Sequence, residues 1–253
     1  MLVPAPASIP PNAAARLRRA AMRTLPLIVL LLPTGAAAHD LWIERDAEGW
    51  TLLRGHRHSV HAGEAVLPYS PETLEGVTCV AVSGEALPCA AAQRYPLRVP
   101  EAGQAAVCFQ ISSGYWTQTP YGTRNAPPAQ VKQAIRSWHS REGAKRIAEW
   151  SAAFTRPLTS GLELVPLEDP FALEAGEKLH LRVTLRDAPC ADAIVSYFGE
   201  PRGRSGEEGT INVRLRQDGL QMIEASFSEP DSAGVCEEIV HAATLNFLLP
   251  EAP

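Results

Sequence analysis

Short β-branched and aromatic runs, separated by Gly and Pro, are the feature that most limits how this chain can fold. Between residues 39 and 122 they are LWIE, WTLLRG, VTCVAVSG, RYPLRVP and QAAVCFQISSGYW. From residue 161 they return as LELVPL, KLHLRVTLRD, DAIVSYFG, TINVRLRQ, LQMIEASFS and AATLNFLL. Short strands with turn residues at this spacing predict an all-β protein built from antiparallel sandwiches.

The clearest single strand is KLHLRVTL, which alternates between apolar and polar residues. One face carries Leu179, Leu181, Val183 and Leu185, and the other carries His180, Arg182 and Thr184. This period of two predicts one buried face and one more exposed face. Six such runs over residues 161–250 predict an immunoglobulin-like or transthyretin-like sandwich there.

Residues 126–160 differ from the runs on either side. Ile135 and Trp138, and then Ile147, Trp150 and Phe154, recur at helical spacing. We therefore expect a short helical connector, interrupted near a glycine, with its aromatic rings packed over the sheets. The predicted organisation is an N-terminal β-sandwich over residues 39–125, this connector, and a C-terminal sandwich over residues 161–250.

The first 38 residues have the pattern of a secretion signal. Arg23 precedes the apolar run TLPLIVLLLP, and Ala36, Ala37 and Ala38 then supply the small residues that a signal peptidase requires. The run is shorter than the roughly 20 residues of a membrane span. Cleavage is expected between Ala38 and His39, which predicts a periplasmic protein. Residues 1–21 fit an over-long start with Met22 as the initiator.

The charge of the remaining chain limits its partners. Residues 1–38 contain four arginines and no acidic residue, which leaves 19 basic and 28 acidic residues and a formal charge of −9 in residues 39–253. Such a chain is a poor partner for nucleic acid or for an anionic membrane surface, and it attracts cations.

Five cysteines in an exported protein favour disulfides over thiolate ligands. Cys79 and Cys89 flank VAVSGEALP, which is typical of a hairpin, so we expect them to lie close together. Cys190 and Cys236 both lie in the last third of the chain and are a second candidate pair. Cys108 is then left unpaired within a predicted strand, where it is expected to be buried and inert.

Four of the seven histidines lie within 23 residues: His39, His56, His58 and His61. In a strand, His56 and His58 would project from the same face, as two ligands of one ion must. A freed His39 would add its α-amine and its ring, and His61 follows a predicted turn. Nitrogen ligands of this kind suit Ni²⁺ or Co²⁺, and also accept Cu²⁺ and Zn²⁺. These four residues are the predicted metal ligands.

Other chemistry has little support in the sequence. His139 is expected to face solvent, while His180 and His241 are lone histidines in predicted strands, where a structural role is the ordinary one. GxSxG, HExxH, P-loop and GxGxxG motifs are absent. We therefore predict no catalytic residue, no bound organic cofactor and no enzymatic activity.

The stretch GYWTQTPYGTRN, residues 114–125, has two interpretations. Tyr115, Trp116 and Tyr121 line the mouth of a site, with Asn125 as a polar contact, or they cap one end of a sandwich.

Several stretches in order resemble a family of exported bacterial proteins of unknown function that is associated with nickel and cobalt uptake. They are AAAHDLWIE, LLRGHRHSVHAGE, YPLRVPEAGQAAVCFQISSGYWTQTPYGTRNAP, GLELVPLEDPFALEAGEKLHLRVTL and HAATLNFLL. The resemblance implies a periplasmic component of a cobalt/nickel transport system, with a membrane importer as its partner. It also implies that His39, His56 and His58 are ligands.

Two other functions fit the same residues. A processed N-terminal histidine on a sandwich is also found in copper histidine-brace redox proteins. Alternatively, the chain is a structural or adhesive β-sandwich module that binds no metal.

Overall fold

The computed structural model describes Met1 and residues 40–57 and 66–249. The described residues from Asp40 onward belong to a single compact unit. They form strands joined by turns, with only 3₁₀ helices of three or four residues, at Pro71–Thr73, Pro128–Gln130, Ala152–Thr155 and Pro170–Ala172. Among these residues no helix is long and apolar enough to cross a membrane. The all-β prediction is confirmed.

The strands are numbered in chain order. Those before residue 150 are β1 (Asp40–Asp46), β2 (Gly49–Gly55), β3 (Leu74–Val80), β4 (Ala86–Leu87), β5 (Arg98–Pro100), β6 (Ala106–Thr119), β7 (Gly122–Arg124) and β8 (Arg136–Ile147). The later ones are β9 (Glu163–Pro166), β10 (Lys178–Leu185), β11 (Ala188–Pro189), β12 (Ile194–Tyr197), β13 (Glu200–Arg204), β14 (Thr210–Arg214), β15 (Gly219–Pro230) and β16 (Glu238–Leu249).

Three sheets contain these strands. A nine-stranded sheet has the order β13-β12-β15-β16-β8-β6-β3-β4, with β7 paired to β6. A three-stranded sheet has the order β1-β2-β5, and a four-stranded sheet consists of β11-β10-β14 with β9 on β10. All pairs are antiparallel except β8 with β16, which is parallel.

The two small sheets cover opposite faces of the large one. Phe109 pairs with Ala144, and both lie in a core with residues of the three-stranded sheet such as Trp50. Leu245 lies on the other face and packs in a second core with Leu181 and Val183 of the four-stranded sheet. This follows from the strand period, since neighbouring residues of one strand point to opposite faces.

The helical connector predicted over residues 126–160 is wrong. Strand β8 occupies the middle of this segment and runs through Gly143, between antiparallel β6 and parallel β16. Residues 144–147 of β8 are all buried, with alternate side chains facing the two cores. Pairing on both edges and burial on both faces therefore outweigh the local helical spacing. Two of the residues at helical spacing, Trp150 and Phe154, do contact each other, and their rings form an edge-to-face pair at the second core.

The expectation of two separate sandwich modules is not confirmed. The nine-stranded sheet contains strands from the predicted N-terminal module, from the predicted connector and from the predicted C-terminal module. The boundaries at residues 125 and 161 stay predictions.

A buried ion pair joins the large sheet to the four-stranded sheet. Lys145 Nζ donates to Glu163 Oε1 at 2.7 Å, and both side chains are almost fully buried. The Glu163 carboxylate also accepts hydrogen bonds from the backbone N–H groups of Leu158 and Thr159 and from Thr159 Oγ1. A buried charge is tolerated when its hydrogen-bonding capacity is met in this way.

The disulfide between Cys79 and Cys89 is confirmed, with Cα atoms 5.9 Å apart. The second candidate pair is wrong, because Cys190 and Cys236 are both free. Cys190 lies in the second core, whereas Cys236 lies in the turn between β15 and β16. Cys108 is buried as expected, and burial raises the pKa of its thiol, which keeps it in the unreactive protonated form.

Candidate functional site

The predicted metal ligands lie mostly outside the described residues. This applies to His39, His58 and His61, while His56 is described as half-buried directly after β2. Among the described residues, no group of three or more His, Cys, Asp or Glu side chains is arranged to hold a metal ion. The structure therefore leaves the predicted ligand set untested.

The described residues on either side of these histidines meet at one end of the three-stranded sheet. Asp40, the first residue of β1, pairs with Gly55, the last residue of β2. Gly55 also forms an antiparallel bridge with Val66, and the backbone N–H of Leu67 donates to Arg54 O at 2.7 Å. Three chain segments therefore come together in the row formed by Asp40, Gly55 and Val66.

The Asp40 carboxylate fixes the segment that leaves this row. The side chain is buried, and its Oδ2 accepts a hydrogen bond from the Arg57 backbone N–H at 3.1 Å. A carboxylate that accepts a backbone N–H at the end of a strand restrains the chain that follows. Asp40 was not among the residues predicted from sequence. Its adjacency to His39 was the one signal available.

Further polar contacts hold the same end of β1 and β2. Arg57 Nη1 donates to Glu44 Oε1 at 2.8 Å, and its guanidinium lies 5.5 Å from the centre of the Trp42 ring. Trp42 Nε1 donates to the same Glu44 oxygen at 3.1 Å. An arginine held by a carboxylate and an aromatic ring has fewer conformations than a free one.

Strand β1 is also anchored to the large sheet by side chains. Arg146 Nη1 donates to Ile43 O at 2.9 Å, and the Ile43 N–H donates to Asn246 Oδ1 at 3.1 Å. Burial lowers the pKa of the Arg146 guanidinium, while the Glu44 carboxylate opposes that shift. These contacts make the three-stranded sheet a rigid support for the row at its end.

Comparison with family models identifies one domain, described as a domain of unknown function, DUF4198, over residues 36–229. The chain belongs to this family. No curated protein and no solved structure matches it. The family description names no activity, metal or partner, so the association with nickel and cobalt stays a prediction. The matched residues include Asp40 and His56, and they end at Glu229 within β15.

The other histidines of this DUF4198 protein lie away from the row at Gly55. His180 is exposed on the outer face of β10, where its Nδ1 lies 2.6 Å from Glu168 Oε1. His241 is buried on the face of the large sheet that points away from the three-stranded sheet, with its Nε2 3.1 Å from Glu229 Oε1. Neither residue is placed to complete a site at the row.

His139, which the sequence predicts to face solvent, is half-buried. Its ring stacks on Tyr115 with centroids 4.5 Å apart, and its Nε2 lies 2.9 Å from Ser112 Oγ. Burial lowers the pKa of the His139 imidazole, and the neighbouring Arg141 lowers it further.

The stretch 114–125 forms the end of β6 and the hairpin to β7. Asn125 Nδ2 donates to the backbone oxygens of Ser113 and Tyr115, at 2.8 and 3.1 Å. The Asn125 side chain therefore links the end of the hairpin to the backbone of β6. Tyr121 is strongly exposed, and Trp116 Nε1 donates to Ser113 Oγ at 3.1 Å.

A second polar cluster, which the sequence analysis did not identify, lies on the opposite face of the large sheet. Arg186 donates two hydrogen bonds to the two carboxylate oxygens of Glu229, at 2.7 and 2.6 Å, and His241 lies against the same carboxylate. The hydrogen bonds from Arg186 lower the pKa of Glu229 to about 2, and burial lowers the pKa of His241. At neutral pH we expect an ionised glutamate beside a neutral imidazole. Residues separated by 43 positions in sequence gave no local pattern for this cluster.

Proposed function

We propose that this protein is a periplasmic binding protein for Ni²⁺ or Co²⁺ that captures the ion and delivers it to a membrane importer. The ligands are the α-amine and ring of His39 together with the rings of His56, His58 and His61. The proposal includes cleavage between Ala38 and His39, which creates the free amine.

The observation that carries this proposal is the row formed by Asp40, Gly55 and Val66. Residue 39 is joined to Asp40 by one peptide bond, and one peptide unit spans about 3.8 Å between Cα atoms. Residues 56–65 form the connection between Gly55 and Val66, so their segment begins and ends at the same row. All four proposed ligands therefore belong to segments that are tethered at one end of one sheet.

The chemistry of this ligand set supports a borderline divalent transition metal. Imidazole and amine nitrogens suit Ni²⁺, Co²⁺, Cu²⁺ and Zn²⁺, whereas Ca²⁺ and Mg²⁺ prefer oxygen ligands. The formal charge of −9 on residues 39–253 favours the approach of a cation. Each ligand must be deprotonated to bind, so affinity should fall as the pH is lowered through the range where histidine titrates.

Titration calorimetry with Ni²⁺ tests the proposed ligands. The processed protein is compared with H56A, with the double variant H56A/H58A, and with H180A as the matched control, because His180 is exposed on a different sheet. We expect H56A/H58A to weaken Ni²⁺ binding by more than the roughly 10–100-fold that loss of an outer-shell partner costs. H180A should bind as the unaltered protein does. Unchanged affinity in the double variant would refute the ligand assignment.

The copper redox alternative shares the chelating terminus and differs in its chemistry. Tighter binding of Cu²⁺ than of Ni²⁺ would not separate the two, since copper is preferred at most nitrogen sites. Peroxide production that requires both bound copper and a reductant would favour the redox protein over the uptake protein.

A further inference from the structure

A cavity of about 140 Å³ opens on the face of the large sheet that carries His241. Its floor is Gly143 in β8, and its walls include Gln110, Arg141, Gly161 and Leu162. Sites for drug-sized ligands are larger, at roughly 300–1,000 Å³. The volume therefore fits a small molecule rather than a nucleotide or a peptide.

Two side chains that line this cavity, Arg141 and Gln110, carry hydrogen-bond donors that bind no acceptor among the described residues. Within the described residues, the Arg141 guanidinium donates no hydrogen bond, and its contact to Glu75 is 3.9 Å, beyond hydrogen-bond distance. Within the same residues the Gln110 side-chain amide also makes no hydrogen bond, although Gln110 is half-buried. Arg186, by contrast, has its guanidinium bound to both oxygens of Glu229.

The sheet register places these two donors on either side of the glycine floor. Gln110 of β6 pairs with Gly143 of β8, and Arg141 precedes Gly143 by two residues on the same face. Diagonal neighbours of this kind are about 7–8 Å apart at their backbones, within reach of long side chains. A Cβ at position 143 would lie 3.6 Å from Leu162 O, so the missing side chain leaves the floor open.

The walls of the cavity restrict the charge and the shape of the ligand. Two arginines line the cavity: Arg186 is already paired with Glu229, which is outside the lining, and Arg141 lies 3.9 Å from the Glu75 carboxylate. The Glu75 carboxylate disfavours a dianion such as phosphate, whereas the guanidinium of Arg141, which makes no hydrogen bond within the described residues, matches a single negative charge. Arginine binds carboxylates with two parallel hydrogen bonds. Leu162 and Leu185 supply an apolar wall for a short hydrocarbon chain.

We propose that this cavity binds a small aliphatic monocarboxylate. Its carboxylate group lies between Arg141 and Gln110, and its short chain lies against Leu162 and Leu185. The site is distinct from the proposed metal site, because the row of Asp40, Gly55 and Val66 belongs to the layer that covers the other face of the large sheet.

Propionate is the probe, and the readout is the change in backbone amide NMR signals of the ¹⁵N-labelled protein. We expect saturable shifts that include the amides of Gly143 and Gly161. R141Q should weaken binding at least about tenfold, because a hydrogen bond to a charged group is lost. G143A should weaken binding by occupying the floor while Arg141 stays in place.

Two variants serve as matched controls. R124Q removes an exposed arginine from β7, and G206A adds a methyl group between β13 and β14, where the nearest atom, Thr210 O, would lie at an ordinary contact distance of 3.8 Å. Both should bind propionate as the unaltered protein does, and unaltered spectra elsewhere would show that R141Q and G143A are folded. The proposal is overturned if propionate causes no saturable shift, if R141Q and G143A retain full affinity, or if inorganic phosphate binds as well as propionate.

Discussion

The Arg57 backbone N–H donates to Asp40 Oδ2 at 3.1 Å, which ties the first residue of β1 to the segment that follows β2. In sequence, Asp40 follows His39 and Arg57 precedes His58. The bond therefore links the two stretches of chain that carry the proposed ligands. If the metal proposal is correct, a substitution of Asp40, which is not a proposed ligand, should change Ni²⁺ affinity.

Asp40→Ala should weaken both the fold and Ni²⁺ binding. Asp40→Ala removes a part-buried hydrogen bond to a charged group, and such bonds contribute roughly 1.5–3 kcal/mol to the free energy of unfolding. The control is Asp46→Ala, at the other end of β1, where Asp46 Oδ1 accepts from the backbone N–H groups of Glu48 and Gly49. Urea denaturation and Ni²⁺ calorimetry should show instability in both variants and weaker metal binding in Asp40→Ala alone. Equal Ni²⁺ affinities would contradict a role for Asp40 at the site.

Lys145→Met should be among the most destabilising single substitutions. Removing Lys145 leaves the buried Glu163 carboxylate without its counter-ion, and breaking a buried pair in this way costs roughly 3–5 kcal/mol. Arg216→Met is the control, since its pair with Glu200 is largely exposed and is expected to contribute roughly 0–1 kcal/mol. The midpoints of urea denaturation measure both. A small loss for Lys145→Met would mean that Glu163 is sustained by its other hydrogen bonds.

The Glu229 carboxylate should make stability depend on pH in acid. Its pKa is lowered from 4.5 to about 2 in the folded protein, so between these values the unfolded chain binds more protons. Stability therefore rises with pH in that window, and the contribution of Glu229 is lost as the pH falls from 4.5 towards 2. The free energy of unfolding of Glu229→Gln should lie below that of the unaltered protein at pH 7, and the difference should shrink through this window. A difference that does not change with pH would be inconsistent with an ionised Glu229 held by Arg186.

His241 should contribute a second pH dependence, which begins at higher pH than that of Glu229. Burial lowers the pKa of its imidazole below the ordinary value of 6.5, so the unfolded chain takes up the proton first as the pH falls. The folded state is therefore penalised below about pH 6.5. His241→Gln should remove this part of the acid sensitivity, whereas the exposed His180→Gln should leave it in place. Urea denaturation at a series of pH values measures the free energy of unfolding of both variants and of the unaltered protein.

Alkylation under denaturing, non-reducing conditions should label three cysteines: Cys108, Cys190 and Cys236. Reduction before alkylation should raise the number to five. Cys79→Ala/Cys89→Ala should lower the free energy of unfolding by about 3 kcal/mol, the chain-entropy value for a loop of this length. Intact mass and urea denaturation check the two outcomes. If only one cysteine were labelled before reduction, Cys190 and Cys236 would form a disulfide after all.

Most strands could be predicted from sequence because their side chains alternate. In KLHLRVTL the predicted inward residues Leu179, Leu181 and Val183 are fully buried, and the strand spans Lys178–Leu185. The hairpin between Cys79 and Cys89 was visible for a similar local reason, since its turn and both cysteines lie within one short stretch. Patterns within one element carry this kind of information.

The features that were missed depend on partners far away in sequence. Strand β8 owes its conformation to β6 and to β16, whose Glu238 pairs with Trp138 across 100 positions of chain. The same applies to the contact of Arg186 with Glu229, which forms only when the turn after β10 reaches the end of β15. Cys190 and Cys236 are consecutive cysteines in the sequence. Cys190 lies in the second core and Cys236 lies in a turn, and the spacing of cysteines in the sequence does not distinguish a core position from a turn position.

The most direct test of the proposed function is the intact mass of the protein exported with its own N-terminal segment, purified from the periplasm and measured with and without one equivalent of Ni²⁺. We expect a mass that begins at His39 and a single Ni²⁺ that stays bound. A variant with one residue added before His39 should lose affinity, because its α-amine is displaced from the chelate. A mass that begins elsewhere, or a protein that begins at His39 and retains no Ni²⁺, would contradict the proposal.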